Sequence, residues 1–139
     1  MMWTEDNTPK LSRLWVIIAG SRHLANPKVV DDAVTSSGMR LIIGTVVSGG
    51  CRGTDTLAER WARANRIETK VYPADWNHLG PKAGPSRNQL MVDHSGALIA
   101  IKIDGVESRG TDDVIRRAEA RKLPVFVYTV SKSEAFSVT

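Results

Sequence analysis

Ser48-Gly49-Gly50-Cys51-Arg52-Gly53-Thr54-Asp55 is the stretch on which the fold turns. It follows a β-branched run ending at Val47 and opens a helical pattern in which Leu57, Ala58, Trp61 and Ala62 share one face. A strand that runs through a glycine loop into a helix presents unpaired backbone N–H groups at the positive end of the helix dipole, an arrangement suited to an anion. Glycine admits positive φ and lets a ligand approach the main chain closely. Three other expected strand ends repeat the device: Ala19-Gly20-Ser21-Arg22, Lys82-Ala83-Gly84-Pro85-Ser86-Arg87-Asn88 and Ser108-Arg109-Gly110-Thr111. Each of the four loops pairs glycine with arginine, and together they predict a site for a phosphate-bearing small molecule.

Working outward from these loops, Leu14 to Ala19 reads as a strand buried on both faces of a parallel sheet. Asn26 and Pro27 supply an N-cap and a first-turn proline for a helix burying Val29, Val30, Ala33 and Val34 and stopping at Gly38. Leu41 to Val47 is the second expected strand, with a kink at Gly44, and Thr54 the expected cap of the next helix. Ile67 to Tyr72 is a third strand. Ala74 to Gly84 is a long connection, and its length points to a role beyond linkage. A helix over Pro85 to Ser95 is expected to turn Leu90 and Met91 inward; Ala97 to Ile103 is the fourth strand. Thr111 is expected to cap the last long helix, with Asp112 and Asp113 complementing its dipole, and Leu123 to Tyr128 is the fifth strand.

Five strands alternating with helices predict an α/β, Rossmann-like three-layer domain with a mainly parallel five-stranded sheet in the order 3-2-1-4-5. Right-handed crossovers then gather all four loops on the carboxyl edge, around a crevice between the first and fourth strands. The expected domain covers residues 14–130, between a flexible lead-in at 1–13 and a weakly patterned tail at 131–139.

At 139 residues the chain can bury a real core, and 42% apolar and 24% charged residues are ordinary for a soluble protein. A formal charge of +4 favours an anionic partner, although most of the basic residues lie scattered on helices as solvated faces do. The single cysteine, Cys51, allows no internal disulfide and fits a reducing cytoplasm. No apolar run has the length of a membrane span, and Met1 to Ser12 is too polar for a signal peptide. One cysteine with scattered histidines makes no structural zinc set, so no metal ligand is assigned.

The loops, with Gly53, Asp55 and Met91 at their spacings, resemble the SLOG superfamily over about Leu14 to Val127, and most of all its YspA-like, cpYpsA-related branch. That resemblance implies a Rossmann-like domain for a nucleotide or a nucleotide derivative. Ser48 to Asp55 is also similar to the matching loop of DprA/Smf proteins, which implies single-stranded DNA as an alternative partner. Arg87 to Met91 with Gly110-Thr111 is similar to the phosphoribohydrolases of the cytokinin-activating LOG family. On that match Arg87 falls on a catalytic arginine. The catalytic glutamate falls on Val114, with Asp113 one residue earlier, a rotation of about 100° on a helix. Relatives of this kind pair through helices, which implies a homodimer.

The candidate ligand-binding set is therefore Gly20, Ser21, Arg22, Ser48, Gly49, Gly50, Gly53, Asp55, Asp75, Trp76, Gly84, Arg87, Asn88, Ser108, Arg109, Gly110 and Thr111. Arginines offer a planar fork to phosphate oxygens. Arg87, in the first turn of its expected helix, opposes the dipole unless an anion is near. The hydroxyls of Ser21, Ser48, Thr54 and Thr111 suit either phosphate or helix capping. Asp55 can order its loop or bind a ribose hydroxyl. Trp76 can stack on a base beside Asp75. Asp104, Glu107, Asp112 and Asp113 suit either solvated dipole compensation or a Mg²⁺ carried by ligand phosphates. The primary expectation is a sensor or carrier of a phosphorylated nucleotide derivative. An N-glycosidic hydrolase using Arg87 and Asp113 is the alternative, and single-stranded nucleic-acid binding a third reading.

Overall fold

Val16, Ile17 and Ile18 have no exposed surface, which places strand β1 (Leu14–Gly20) at the centre of the molecule. The computed structural model describes residues 13–138, so all but the last residue of the expected lead-in lies outside it. Alternation along β1 divides the core. Val16 and Ile18 pack with Val29, Val30 and Val34 of α1 (Pro27–Ser37) and with Leu57, Ala58 and Trp61 of α2 (Thr54–Ala64). Ile17 and Ala19 pack on the other face with Met91 and Val92 of α4 (Ala83–Asp93) and Val114 and Ala118 of α5 (Arg109–Ala120). Each fully buried Ile, Leu or Val contributes about 1.5–3 kcal/mol from the surface it removes from water.

The sheet is wholly parallel, in the order β3-β2-β1-β4-β5, with β2 at Ile43–Ser48, β3 at Glu68–Val71, β4 at Ala97–Ile103 and β5 at Val125–Val130. This is the expected Rossmann-like α/β topology. The short helices α3 (Trp76–Leu79) and α6 (Lys132–Phe136) complete it.

Local differences from the sequence reading have identifiable causes. β2 begins at Ile43 because Arg40–Ile42 form a 3₁₀ turn; the pairing register then shifts beside Gly44, where the kink was expected. α4 starts at Ala83 rather than Pro85, since Gly80–Lys82 form a 3₁₀ turn that runs straight into it. Leu90 is 47% exposed, not inward; Met91 and Val92 take the core positions. β5 is shifted two residues along because the end of α5 continues through Leu123. Within the stretch read as a tail, α6 buries Ala135, and its Ala135 carbonyl accepts the Ala25 and Asn26 N–H groups.

Two helices end in a left-handed residue that is not glycine. After α2, Arg66 adopts φ 57° and its N–H bonds the Arg63 carbonyl while the Ile67 N–H reaches Ala62. After α5, Lys122 adopts φ 59°, bonds Glu119, and is followed by Leu123 bonding Ala118. Both are Schellman ends with a side chain in the left-handed position, where glycine is the usual occupant. Lys122→Gly is expected to stabilise the protein by about 0.5–1 kcal/mol in denaturant unfolding, because the relieved left-handed strain exceeds the added chain entropy.

Candidate functional site

The four glycine–arginine stretches meet at the carboxyl edge, tied to one another by hydrogen bonds; those after β1 and β2 are loops, whereas the other two are already helical, forming the starts of α4 and α5. The Ser21 N–H donates to the Ile101 carbonyl at 3.1 Å, joining the ends of β1 and β4. The Thr54 N–H and hydroxyl both donate to the Ser21 carbonyl, at 3.1 and 2.8 Å. Thr54 is thus not the cap of α2. Gly53 holds that position at φ 78°, and a β-carbon there would lie 2.4 Å from the Arg22 backbone. The β1 and β2 loops interlock at a spot where only glycine fits.

Arg87 and Asn88 close the arrangement from the opposite face. Arg87 Nη1 donates to the Gly49 carbonyl, and Nε donates to Asn88 Oδ1 at 3.0 Å. Asn88 Nδ2 donates onward to Asp113 at 2.9 Å and to the Gly110 carbonyl at 3.3 Å. One pair of neighbouring residues therefore links the β2 loop to the first turns of α5. Because α4 starts at Ala83, Arg87 stands in its second turn, not its first, and the nearby Asp55 carboxylate already faces its charge.

Most candidate hydroxyls are engaged within the protein. Ser48 is fully buried, donating to Glu59 Oε2 at 2.6 Å and accepting the Gly50 N–H. Ser21 Oγ accepts the His23 N–H. Thr111 does not cap α5: it lies in the helix, buried, and its hydroxyl meets Ser108 Oγ. Asp75 caps α3 by accepting the His78 N–H, and Trp76, 55% exposed, lays its ring edge over Gly84.

The acidic residues near the edge are divided among cations rather than gathered. Asp112 pairs with Lys102 at 2.6 Å, Glu107 with Arg109 at 3.2 Å, and Asp113 with Arg117 at 2.8 Å and with Arg116. Among the described residues, no three side chains are grouped to hold a metal ion. Burial would raise the pKa of Asp113, but the Arg117 and Asn88 hydrogen bonds and the Arg117 and Arg116 charges outweigh it and hold the carboxyl below its usual range.

Asp55 behaves in the opposite sense. It is 7% exposed, and desolvation pushes its pKa up to about 6, against the opposing Cys51 N–H bond and Arg87 charge.

What remains open at the edge is the start of α5. Ser108, at its N-cap, makes no side-chain capping bond to the helix. Gly110 is exposed, with nothing within 4 Å of where a β-carbon would stand. Arg109, its side chain 89% exposed, is the first helical residue. Between β1 and β4, where the crevice was expected, the ladder of the sheet continues through the Ser21–Ile101 bond. A cavity of about 400 Å³ opens one strand across, at the ends of β4 and β5. Sequence reading missed it, because the Asp104-Gly105 turn that shapes it carries no arginine.

This is a doubly wound domain whose carboxyl-edge loops are built on glycine and arginine. A model of the YspA, cpYpsA-related SLOG family matches residues 14–78. The Gene 61 protein of Mycobacterium phage D29 is 37% identical over 116 residues, covering 79% of this chain and 92% of that protein. The chain belongs to the YspA, cpYpsA-related SLOG family. Among solved structures, it is similar to DNA processing protein A (DprA) from Streptococcus pneumoniae, with a TM-score of 0.48 and 16% identity. That match covers 82% of this chain and 58% of the DprA chain. No described helix is long and apolar enough to cross a membrane.

Two substitutions test the frame of the site. A β-carbon at Gly49 would lie 2.5 Å from Arg87 Nη1 and 2.9 Å from Asp55 Oδ2. Gly49→Ala should therefore cost about 1–3 kcal/mol in chemical unfolding. For Asp55, the folded pKa of about 6 lies above the ordinary aspartate value, so the folded state takes up this proton first as pH falls. The stability of the parent protein relative to Asp55→Asn should rise from pH 7 to pH 4, by up to about 3 kcal/mol. Denaturant midpoints of both proteins across that range give the slope, and parallel profiles would show that burial does not perturb this carboxyl.

Proposed function

We propose that the carboxyl edge binds a nucleotide or nucleotide-derived phosphorylated ligand, with its anionic group on the first turn of α5, as a sensor or carrier domain. The observation that carries this reading is the α5 terminus, where Ser108 makes no side-chain capping bond and Gly110, in the first turn, is exposed. Free N–H groups at a helix start are worth most when they meet an anion. Arg109 strengthens the case. A cation at the first helical position opposes the dipole, and Glu107 on its exposed side chain offsets this only weakly. A phosphate there would satisfy both the N–H groups and the guanidinium.

Asn88 fixes this terminus by holding the Gly110 carbonyl, and Arg87 fixes Asn88. These residues build the cradle, while Arg109 and the backbone meet the ligand. The hydrolase alternative finds less support. Asp113 is held as a carboxylate by two arginines and Asn88, a poor state for a group that must trade protons or trap a ribosyl cation.

Thermal-shift and calorimetric titrations with adenosine 5′-monophosphate, adenosine and a short oligonucleotide test the reading. The monophosphate is expected to bind and to raise Tm, and adenosine to do neither. Arg109→Ala should weaken the monophosphate about tenfold, the worth of one charge-assisted contact. Its ligand-free Tm should stay within about 1 °C, since the side chain is exposed. No response to any mononucleotide tried would sink the proposal. A response to the oligonucleotide alone, falling steeply with salt, would move the site to nucleic acid.

A further inference from the structure

We infer that the cavity of about 400 Å³ at the ends of β4 and β5 is the sugar subsite of the proposed ligand, built to take a polyhydroxy sugar esterified to the phosphate. The inference rests on the phosphate reading above and adds to it which part of the ligand is recognised next.

The cavity adjoins the α5 terminus through covalent and ionic links. Glu107 forms part of its wall and Ser108, the next residue, is the N-cap of α5. Consecutive Cα atoms are about 3.8 Å apart, so a group esterified to a phosphate on that helix end reaches the cavity wall. Lys102, another wall residue, is joined to Asp112 in the first turn of α5 at 2.6 Å. The wall and the α5 terminus are thus joined both along the chain and by an ion pair.

Its lining chemistry selects a sugar over a base or a metal. Ile103 and Val106 provide apolar surface, while Asp104, Glu107 and Thr129 provide oxygens. Neither the Asp104 carboxylate nor the Thr129 hydroxyl is committed to another described side chain, and both are exposed. Carboxylates accept from hydroxyl donors in strong, charge-assisted bonds, and neighbouring hydroxyls on a ring offer donors in pairs. No aromatic ring lines the cavity, so nothing there stacks on a base. No described set of three ligating side chains suits a cation. The hollow is open to solvent on one side, and its volume falls in the range of small-ligand sites.

The test compares inorganic phosphate, ribose 5-phosphate and 2-deoxyribose 5-phosphate, titrated by calorimetry and amide NMR into the parent protein, Asp104→Asn and Thr129→Val. Both replaced side chains are exposed, so folding is expected to survive, and the amide spectra report it. Ribose 5-phosphate should shift the amides of both 108–111 and 104–107. Asp104→Asn should weaken it about tenfold while leaving inorganic phosphate unchanged, and removal of the 2-hydroxyl should cost several-fold in the parent protein only. If the phosphates shift 108–111 while Asp104→Asn and the missing hydroxyl change nothing, the sugar subsite is overturned and the phosphate reading stands. If none of the three compounds binds, both are overturned.

Discussion

The Arg87–Asn88 pair is the constraint on which the edge of this molecule depends. Its side chains span from the Gly49 carbonyl in the β2 loop to the Gly110 carbonyl and Asp113 in α5. Without it, two loops from different strands would have only the sheet to set their spacing, and sheet register fixes strands more tightly than the loops beyond them. Neutral hydrogen bonds contribute about 0.5–1.5 kcal/mol each, and those from a guanidinium somewhat more. Their positional value exceeds that sum, because loops drawn from three strands are held at once. A helix terminus can act as a fixed anion receptor only if its first turn does not move, and Asn88 supplies that restraint at the carbonyl of Gly110.

The same restraint explains why a carboxylate is buried at the edge. Asp55 pays desolvation to sit beneath the Gly49–Cys51 turn, where it accepts the Cys51 N–H and faces Arg87. A loop rich in glycine has many conformations to lose on folding. A charged acceptor placed inside the turn selects one of them. Ser48 performs a parallel task from the strand end, passing a hydrogen bond from Gly50 to Glu59. The loop that resembles a bare phosphate cradle is therefore already largely occupied by its own side chains, and the open receptor is the start of α5.

The topology was legible in the sequence because β1 and β4, the central strands buried on both faces, are short and almost wholly apolar runs, with glycine following closely on each. The buried faces of α1 and α2 were legible for a similar reason: Val29, Val30, Ala33 and Val34, or Leu57, Ala58, Trp61 and Ala62, follow helical spacing. α4 was less so, since its start has no cap residue and its apolar pair Leu90-Met91 offers no way to choose the inward member. Thr54 and Thr111 illustrate a different limit. Both lie where a cap is expected, but Gly53 and Ser108 hold the N-cap positions; the Thr54 hydroxyl is taken by the distant Ser21 carbonyl, and that of Thr111 meets Ser108 one turn back. The endings at Arg66 and Lys122 were invisible because the left-handed position is set by the hydrogen bonds that follow it, not by a glycine. The candidate loops came together as expected, whereas the cavity beside them depends on a turn at Gly105 and on α5 docking, which no local pattern encodes.

The α6 clasp has a consequence for the order in which the protein is made. The Ala25 and Asn26 N–H groups find their acceptor at Ala135, and the Asn26 side chain donates to the Glu134 carbonyl, across 108 positions of chain. During synthesis every strand and long helix precedes those acceptors, β5 by only a few residues. The β1 loop carrying Arg22 must wait with its lower end unclosed while the rest assembles, and a contact of such long range forms late because its loop-closure entropy is offset only by structure already in place. One wall of the edge is thus closed by a segment that follows every strand of the sheet, and a chain ending before residue 131 would hold the sheet without the completed loop.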